Sequence, residues 1–247
     1  DPASIDGCAA RLVARHGAIH LLINNAGIMA SPLARDPRGY EAQFATNHLG
    51  HFQLTARLWP ALVAARGARV VELTSWGHRF SAMRFDDPNF ERRDYDRWLA
   101  YGQSKTANAL FAVALDRRGA AHQVRAFAVH PGRILTPLVR HLSAAELQQA
   151  RVIDEAGRPI ASPETKTPAQ GAATSVWCAT SPQLDGKGGV YCENVDLAAV
   201  VPATRQGAPQ GLGDSAVETG VMPYAIDPEA AEQLWALSER LTVPFAT

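Results

Sequence analysis

Cysteine is scarce in this sequence, and an excess of charge of either sign is absent. The three cysteines stand far apart without a C-x-x-C pair, which argues against a disulfide framework and indicates reduced thiols. Acidic and basic residues number 24 each and form no basic stripe, so a nucleic-acid partner is not expected. No apolar run approaches the roughly 20 residues of a membrane span. Because no targeting leader is visible either, a soluble, cytoplasmic protein is predicted.

What the sequence does contain is an alternation of strand-like and helix-like segments along 247 residues. Hydrophobic residues make up 47% and charged residues 19%, which is typical of a globular protein, so residues 1–247 are predicted to form a single domain. The alternation predicts an α/β fold, a doubly wound parallel sheet with helices on both faces. A proline at position 60 is expected to kink or divide the second helix. Strands are predicted at 20–24, 69–75, 124–130 and 188–192, and helices at 5–16, 39–65, 99–118, from 168 and over 228–241.

Tyr101 and Lys105 lie four residues apart in the third predicted helix. Residues at this spacing project from one helix face, so the phenol and the ammonium are expected to be neighbours. A tyrosine hydroxyl has a reference pKa of about 10, and a cation held beside it lowers that pKa. The chain carries 21 arginines but only three lysines, so a lysine here indicates a need for a compact ammonium. The alternative is an ordinary surface pair, which the same spacing also produces.

Small and polar residues follow the ends of the predicted strands. In a parallel sheet the ligand crosses the carboxyl ends of the strands, so these positions are candidates for binding. Small residues after the first strand let a flat ligand approach the backbone, while the second strand is followed by a hydroxyl and the third by a Pro-Gly turn. Each motif taken alone is also explained by a turn, a helix cap or a local kink. The candidate positions are Asn24, Asn25, Ala26, Gly27, Ser75, Pro131, Gly132 and Thr136, together with Asn47, a poor helix former inside the second helix.

His48 and His51 raise the alternative of a metal site. They are three residues apart on one predicted helix, so both side chains could face one ion. No third histidine and no carboxylate stands near them in the sequence. Helix packing explains the pair better, and no metal site is predicted.

Together these motifs resemble those of the short-chain dehydrogenase/reductase family. The resemblance runs from Asp1 to the C-terminus and rests on the site residues named above. The stretches N-H-L-G-H-F, Y-G-Q-S-K-T-A-N and H-P-G-R-I-L-T are most similar to the retinol-dehydrogenase-like and protochlorophyllide-reductase-like branch. This resemblance implies a Rossmann-type domain and an oxidoreductase that transfers a hydride between a nicotinamide and an alcohol or carbonyl group of a small, lipophilic substrate.

The resemblance also implies a role for each site residue. Tyr101 exchanges a proton with the substrate oxygen, Lys105 lowers the tyrosine pKa and holds the nicotinamide ribose, and Ser75 hydrogen-bonds the substrate oxygen. Asn47 holds a water in a proton relay to Lys105. Residues 138–166, which lack a strong pattern, correspond to a substrate lid. The expected cofactor contacts are Asn24, Asn25, Ala26, Gly27, Tyr101, Lys105, Pro131, Gly132 and Thr136.

The resemblance further suggests the cofactor and the assembly. The cofactor is expected to be NADP or NAD, with NADP favoured by the branch that the chain resembles. Family members commonly pair through two long helices, which here are 39–65 and 99–118, so a homodimer or homotetramer is expected.

One motif of the family has no counterpart in the sequence. The Gly-rich turn T-G-x-x-x-G-x-G, which receives the pyrophosphate at a helix N-terminus, does not occur in residues 1–30. By comparison with the family, Asp1 falls near the end of the third strand, so the N-terminal β-α-β-α-β portion is expected to be absent from this chain. Two interpretations follow: a fragment of a complete enzyme, which is favoured, or a truncated, inactive remnant that acts as a binding or regulatory module.

Overall fold

A five-stranded sheet organises the part of the chain that the computed structural model describes, which comprises residues 1–160, 165–202 and 219–245. Its first three strands, parallel and adjacent, are β1 (Leu21–Asn24), β2 (Arg69–Leu73) and β3 (Arg125–His130). Next in the chain, β4 (Arg133–Ile134) and β5 (Thr165–Lys166) form a separate parallel pair. The main sheet then continues with parallel β6 (Val190–Glu193) and antiparallel β7 (Asp196–Leu197). This mostly parallel sheet confirms the predicted α/β class.

Helices accompany the strands, and their starts follow capping residues in the sequence. Their bounds are α1 (Pro2–Arg15), α2 (Ala42–Phe44), α3 (Gly50–Ala64), α4 (Arg97–Gly119), α5 (Ala144–Gln149), α6 (Pro168–Thr180) and α7 (Pro228–Leu241). Thr167 and Gln170 form the predicted capping box before α6, which satisfies backbone N–H groups that lack a partner within the helix. Among the described residues, no helix has both the length and the apolar character needed to cross a bilayer.

Apolar side chains on both faces of the sheet explain why it lies between helices. Successive residues of a strand point to opposite faces, so Val70 packs with residues of α1, α3, α4 and α7, whereas Val71 packs against α6. Val71 and Phe127 share that second face with Cys178 and Ala179. β1 lies at the edge of the described sheet. The carboxyl ends of the strands therefore open between two helical layers.

The segment predicted as one helix over 39–65 is interrupted near its start and not at Pro60. Ala45–Leu49 form a π-helical turn between α2 and α3, and Pro60 lies inside α3 without dividing it. A π turn accommodates one extra residue in a helix and occurs frequently at functional sites. The turn contains Asn47, the poor helix former that the sequence singled out.

The segment predicted as a lid, 138–166, contains short elements. It begins within the 3₁₀ turn Pro137–Val139 and continues into α5, where Ser143 and Glu146 form a capping box. Residues 161–164 of the predicted lid lie outside the described residues. The movement of this segment stays a prediction.

Candidate active site

The carboxyl ends of β1, β2 and β3 open into one cleft. The loops that follow these strands form one side of it, and α4 brings two further side chains to the same place. Ligands of parallel α/β sheets bind at this edge. The predicted site residues that line the cleft are Asn25, Gly27, Ser75, Tyr101, Lys105, Pro131 and Gly132.

Tyr101 lies near the start of α4 and is only 3% exposed. Burial raises the pKa of its hydroxyl to about 12, and a hydrogen bond with Ser75 acts in the opposite direction. Lys105 Nζ lies 6.0 Å from the centroid of the tyrosine ring. The Tyr101 pKa is therefore raised and not lowered as expected, because the loss of phenolate hydration on burial outweighs the opposing hydrogen bond.

Lys105 lies one helical turn further along α4, and its ammonium group is buried. Nζ donates to Leu73 O at 2.8 Å and to Asn108 Oδ1 at 3.3 Å. Burial lowers the pKa of Lys105 to about 8, while the negative charge of Glu72 acts in the opposite direction. The ammonium is thus fixed both by the end of β2 and by its own helix.

Asn47 connects the loop after β1 to α4. Its Nδ2 donates to Ile28 O and to Ser104 Oγ, both at 2.9 Å, and its Oδ1 accepts from Ile28 N at 2.8 Å. Its carbonyl oxygen accepts from Asn108 Nδ2 at 2.7 Å. Both amide donors of the side chain are used within the protein, so the geometry supports a positioning role. The water predicted for a proton relay stays a prediction.

The cofactor residues predicted at the ends of β1 and β3 separate into two groups. The side chain of Asn24 points into the interior, where Nδ2 donates to Thr55 Oγ1 at 3.0 Å and to Glu72 Oε1. This side chain faces α3, because neighbouring residues of a strand face opposite sides, and a cofactor contact at Asn24 stays a prediction. The other predicted positions, Asn25, Ala26, Gly27, Pro131, Gly132 and Thr136, line the cleft beside α6.

Two glycines leave bare backbone at the strand exits. A Cβ atom at Gly27 would lie 3.2 Å from Asn47 Oδ1 and 3.7 Å from Lys105 Nζ. Gly132 has a φ of +92°, and a Cβ atom there would lie 2.7 Å from the Lys166 side chain. The missing side chains make room for Asn47 at Gly27 and for Lys166 at Gly132, so these side chains pack directly against the backbone at the strand exits.

Apolar side chains cover another side of the cleft. Leu138, Val139 and Leu142, from the segment after β4, pack with Met29 and Tyr101. Leu147 and Val152 continue this wall and also line the cleft. The phenol hydroxyl therefore lies between polar strand ends and a hydrophobic surface.

Comparisons with known proteins show the family of this chain. The family model described as "Enoyl-(Acyl carrier protein) reductase" matches residues 1–179. A "Probable oxidoreductase" of Streptomyces lividans is 44% identical over 237 residues, which cover 95% of this chain and 75% of the relative. "Short-chain dehydrogenase/reductase prx1" of Penicillium roqueforti is 34% identical over 242 residues, 96% of this chain and 66% of the relative. The chain belongs to the short-chain dehydrogenase/reductase family.

The relatives also identify the branch of the family. Human retinol dehydrogenase 12 is 37% identical over 205 residues, which cover 83% of this chain and 62% of the relative. The solved structure of an uncharacterized protein from Mycobacterium paratuberculosis is 32% identical, with a TM-score of 0.66 over 99% of this chain and 74% of that chain. The chain is therefore an NAD(P)-dependent short-chain dehydrogenase/reductase of the retinol-dehydrogenase-like branch.

Behind Lys105, this short-chain dehydrogenase/reductase buries a carboxylate that the sequence analysis did not single out. Glu72 of β2 is fully buried, and its Oε2 lies 3.2 Å from His51 Nδ1 and 3.5 Å from Asn108 Nδ2. The available signal was a charged residue in the apolar run V-V-E-L of a strand covered on both faces. Such a residue has no solvent-facing side and needs buried partners.

Gly77 and His130 were not predicted as site residues of this dehydrogenase/reductase, although His130 opens the motif H-P-G-R-I-L-T. A Cβ atom at Gly77 would lie 2.6 Å from Tyr101 Cε1, so the ring packs on bare backbone. His130 Nδ1 accepts from Trp76 N at 3.2 Å and from Gly132 N at 3.4 Å. Burial lowers the pKa of His130 to about 3, which keeps the imidazole neutral.

The two histidines considered for a metal site point to different partners. His48 Nε2 lies 2.7 Å from Ser238 Oγ of α7, whereas His51 Nδ1 faces Glu72. The described residues contain no cluster of three or more histidine, cysteine or acidic side chains suited to a metal ion.

Proposed function

We propose that the protein interconverts an alcohol and a carbonyl group on a small, lipophilic substrate, with NADP(H) as the hydride carrier. The observation that carries the proposal is that Ser75, the buried Tyr101 and the Lys105 ammonium line one cleft between the strand ends and apolar side chains. The nicotinamide supplies or accepts the hydride when it is bound. The choice of NADP over NAD rests on the branch that the chain resembles.

In this proposal each residue has one task. Tyr101 exchanges a proton with the substrate oxygen, Ser75 orients that oxygen, and Lys105 holds the nicotinamide ribose. A Tyr101 pKa of about 12 keeps the phenol protonated at neutral pH, which suits proton donation during carbonyl reduction. Asn25, Ala26, Gly27, Pro131, Gly132 and Thr136 would hold the nicotinamide.

The lipophilic substrate class is supported by the wall of the cleft. Leu138, Val139 and Leu142 lie over the tyrosine, and burying an alkyl chain there contributes about 0.8 kcal/mol per CH₂ group. We also propose that residues 138–166 act as a lid over this chain. A cytoplasmic location and a homodimer or homotetramer stay predictions.

A binding and turnover experiment tests the proposal. The purified protein is titrated with NADPH and NADH by fluorescence, and reduction of straight-chain aldehydes from four to ten carbons is then measured. We expect NADPH to bind more tightly than NADH and kcat/KM to rise with chain length. If neither nucleotide binds and no aldehyde is reduced, the inactive-remnant interpretation replaces the proposal.

Replacing the tyrosine tests the proton donor. Tyr101→Phe removes the hydroxyl and keeps the ring, so we expect kcat to fall about 100-fold or more while NADPH affinity stays close to that of the unmodified protein. Tyr40→Phe is the matched control, because Tyr40 lies outside the cleft and stacks with Arg38. Undiminished turnover in Tyr101→Phe would remove Tyr101 from the reaction.

A further inference from the structure

A buried polar network connects Lys105 to the interior of the sheet. Glu72 lies directly behind the cleft, one residue before Leu73, whose carbonyl oxygen accepts from Lys105 Nζ. Among the described residues, the polar neighbours of its carboxylate are nitrogen atoms of Asn24, His51 and Asn108. The side-chain amides of Asn24 and Asn108 therefore face this buried carboxylate, and His51 Nδ1 lies within hydrogen-bond distance of it.

Asn108 links this carboxylate to the ammonium. Its Oδ1 accepts from Lys105 Nζ at 3.3 Å, and its Nδ2 lies 3.5 Å from Glu72 Oε2. The same Nδ2 donates to Asn47 O at 2.7 Å, so the π turn holds the amide in this orientation. The amide dipole therefore has its oxygen toward the cation and its nitrogen toward the anion.

The charged and titratable side chains around Lys105 come from three elements. Tyr101 faces it from its own helix, Glu72 from β2, and His51 lies beside Glu72 on α3. A buried ammonium is costly unless a nearby anion compensates for lost hydration. Among the described residues, Glu72 is the group whose negative charge opposes the loss of the Lys105 proton.

We propose that Glu72 is a positioning residue for this site: through Asn108 it keeps the Lys105 ammonium charged and in place. Its effect on turnover rests on the function proposed above, whereas its effect on the charge of Lys105 is a property of the chain alone. Lys105 in turn contacts the cofactor in that proposal, so Glu72 acts on the reaction without touching a ligand.

The small number of lysines makes the charge of Lys105 directly measurable. In protein labelled with ¹³C-lysine, the sequence gives three lysine Cε signals, and the signal missing from Lys105→Arg identifies Lys105. The titration midpoint of that signal is then compared between the unmodified protein and Glu72→Gln. We expect the midpoint to fall by about one pH unit or more, since an opposite charge nearby shifts a pKa by about 1–3 units.

Glu193→Gln is the matched control. Glu193 is another buried carboxylate at the end of a parallel strand, and it accepts from Gly220 N. We expect the Lys105 midpoint to stay unchanged in this variant. An equal shift in both variants, or no shift in Glu72→Gln, overturns the proposal. If Glu72→Gln does not fold, Asn108→Ala is measured instead, because it removes the amide between Glu72 and Lys105 and leaves both of these groups in place. An unchanged Lys105 midpoint in Asn108→Ala also overturns the proposal.

A kinetic measurement separates this inference from the proposed function. In Glu72→Gln, the fall of kcat/KM on the alkaline side of the carbonyl-reduction profile is expected to begin about one pH unit lower. A shifted Lys105 midpoint in a protein that reduces no carbonyl compound would contradict the proposed function alone. A shifted midpoint with an unshifted kinetic profile would overturn the role of Glu72 in the reaction.

Discussion

At the scale of single residues, the site depends on bare backbone beside the tyrosine ring. Gly77→Ala would place a Cβ atom 2.6 Å from Tyr101 Cε1, so the ring must move. A displacement of about 1 Å at a reacting group costs about 100-fold in rate, and we expect a loss of that order in kcat/KM. Gly17→Ala is the control, because nothing lies within 4 Å of its Cβ position. Full activity in Gly77→Ala would show that the ring tolerates another position.

The charge of Lys105 predicts a pH dependence. Its pKa of about 8 means that the ammonium is charged below that pH and is lost as the pH rises through it. We therefore expect kcat/KM for carbonyl reduction to fall above about pH 8, well below the Tyr101 pKa of about 12. The profile is measured from pH 6 to 10. Lys105→Arg keeps a permanent charge, so its alkaline fall should move upward; an identical profile would contradict the assignment to Lys105.

The residues that sequence reasoning found share one property: their chemistry follows from residue type and from a local position, which is a strand end for Ser75 and one helix face for Tyr101 and Lys105. Ser75, Tyr101 and Lys105 meet this condition and line one cleft. The hydrogen bond between Asn24 and Glu72 does not meet this condition. It depends on β1 pairing with β2 so that these two residues lie side by side. That register joins positions 48 apart in the chain and is set by tertiary packing.

At the scale of elements, an ion pair connects the predicted lid to α4. Arg97 Nη2 pairs with Glu146 Oε1 of α5, and Arg97 Nη1 donates to His141 O at 3.4 Å. Arg97→Gln should weaken closure of the lid and raise KM by about two- to fivefold, the range of a partly exposed pair, with a smaller effect on kcat.

The control for this lid prediction lies at the other end of the same helix. Arg117 pairs with Glu232 at 3.7 Å, and Arg117→Gln should leave KM unchanged. Steady-state kinetics with a long-chain aldehyde measure both variants. Adding Glu146→Gln to Arg97→Gln should cause little further change, since the pair is already broken; a second, additive rise in KM would contradict a shared contact.

Local signals also explain which elements were predictable. The caps before α6 and α7 were visible because Thr167, Gln170 and Asp227 act on backbone groups within three residues. The π turn around Asn47 was not predictable from periodicity. Its amide reaches Ile28 and the helix α4, so the distortion is stabilised by contacts distant in sequence.

At the scale of the whole molecule, uncharged histidines link folding to pH. Burial lowers the pKa of His48 and His130 to about 3 and that of His78 to about 4, from an ordinary value of 6.5. Between these values the unfolded chain binds protons that the folded chain does not bind. The free energy of unfolding is therefore expected to fall as the pH decreases from about 6.5 toward 4.

The contribution of one histidine to this pH dependence is obtained as the difference between the unmodified protein and a variant. The difference cancels the opposing contribution of buried carboxyls such as Glu41, whose pKa is raised by burial. His48→Gln removes one titrating group, so the slope of unfolding free energy against pH should decrease by up to about 1.4 kcal/mol per pH unit. Urea unfolding between pH 4.5 and 6.5 measures the slope. His20→Gln, at an exposed histidine, should leave it unchanged. Equal slopes in the unmodified protein and His48→Gln would mean that His48 binds its proton equally well in the folded and unfolded chains, which would contradict the effect assigned to its burial.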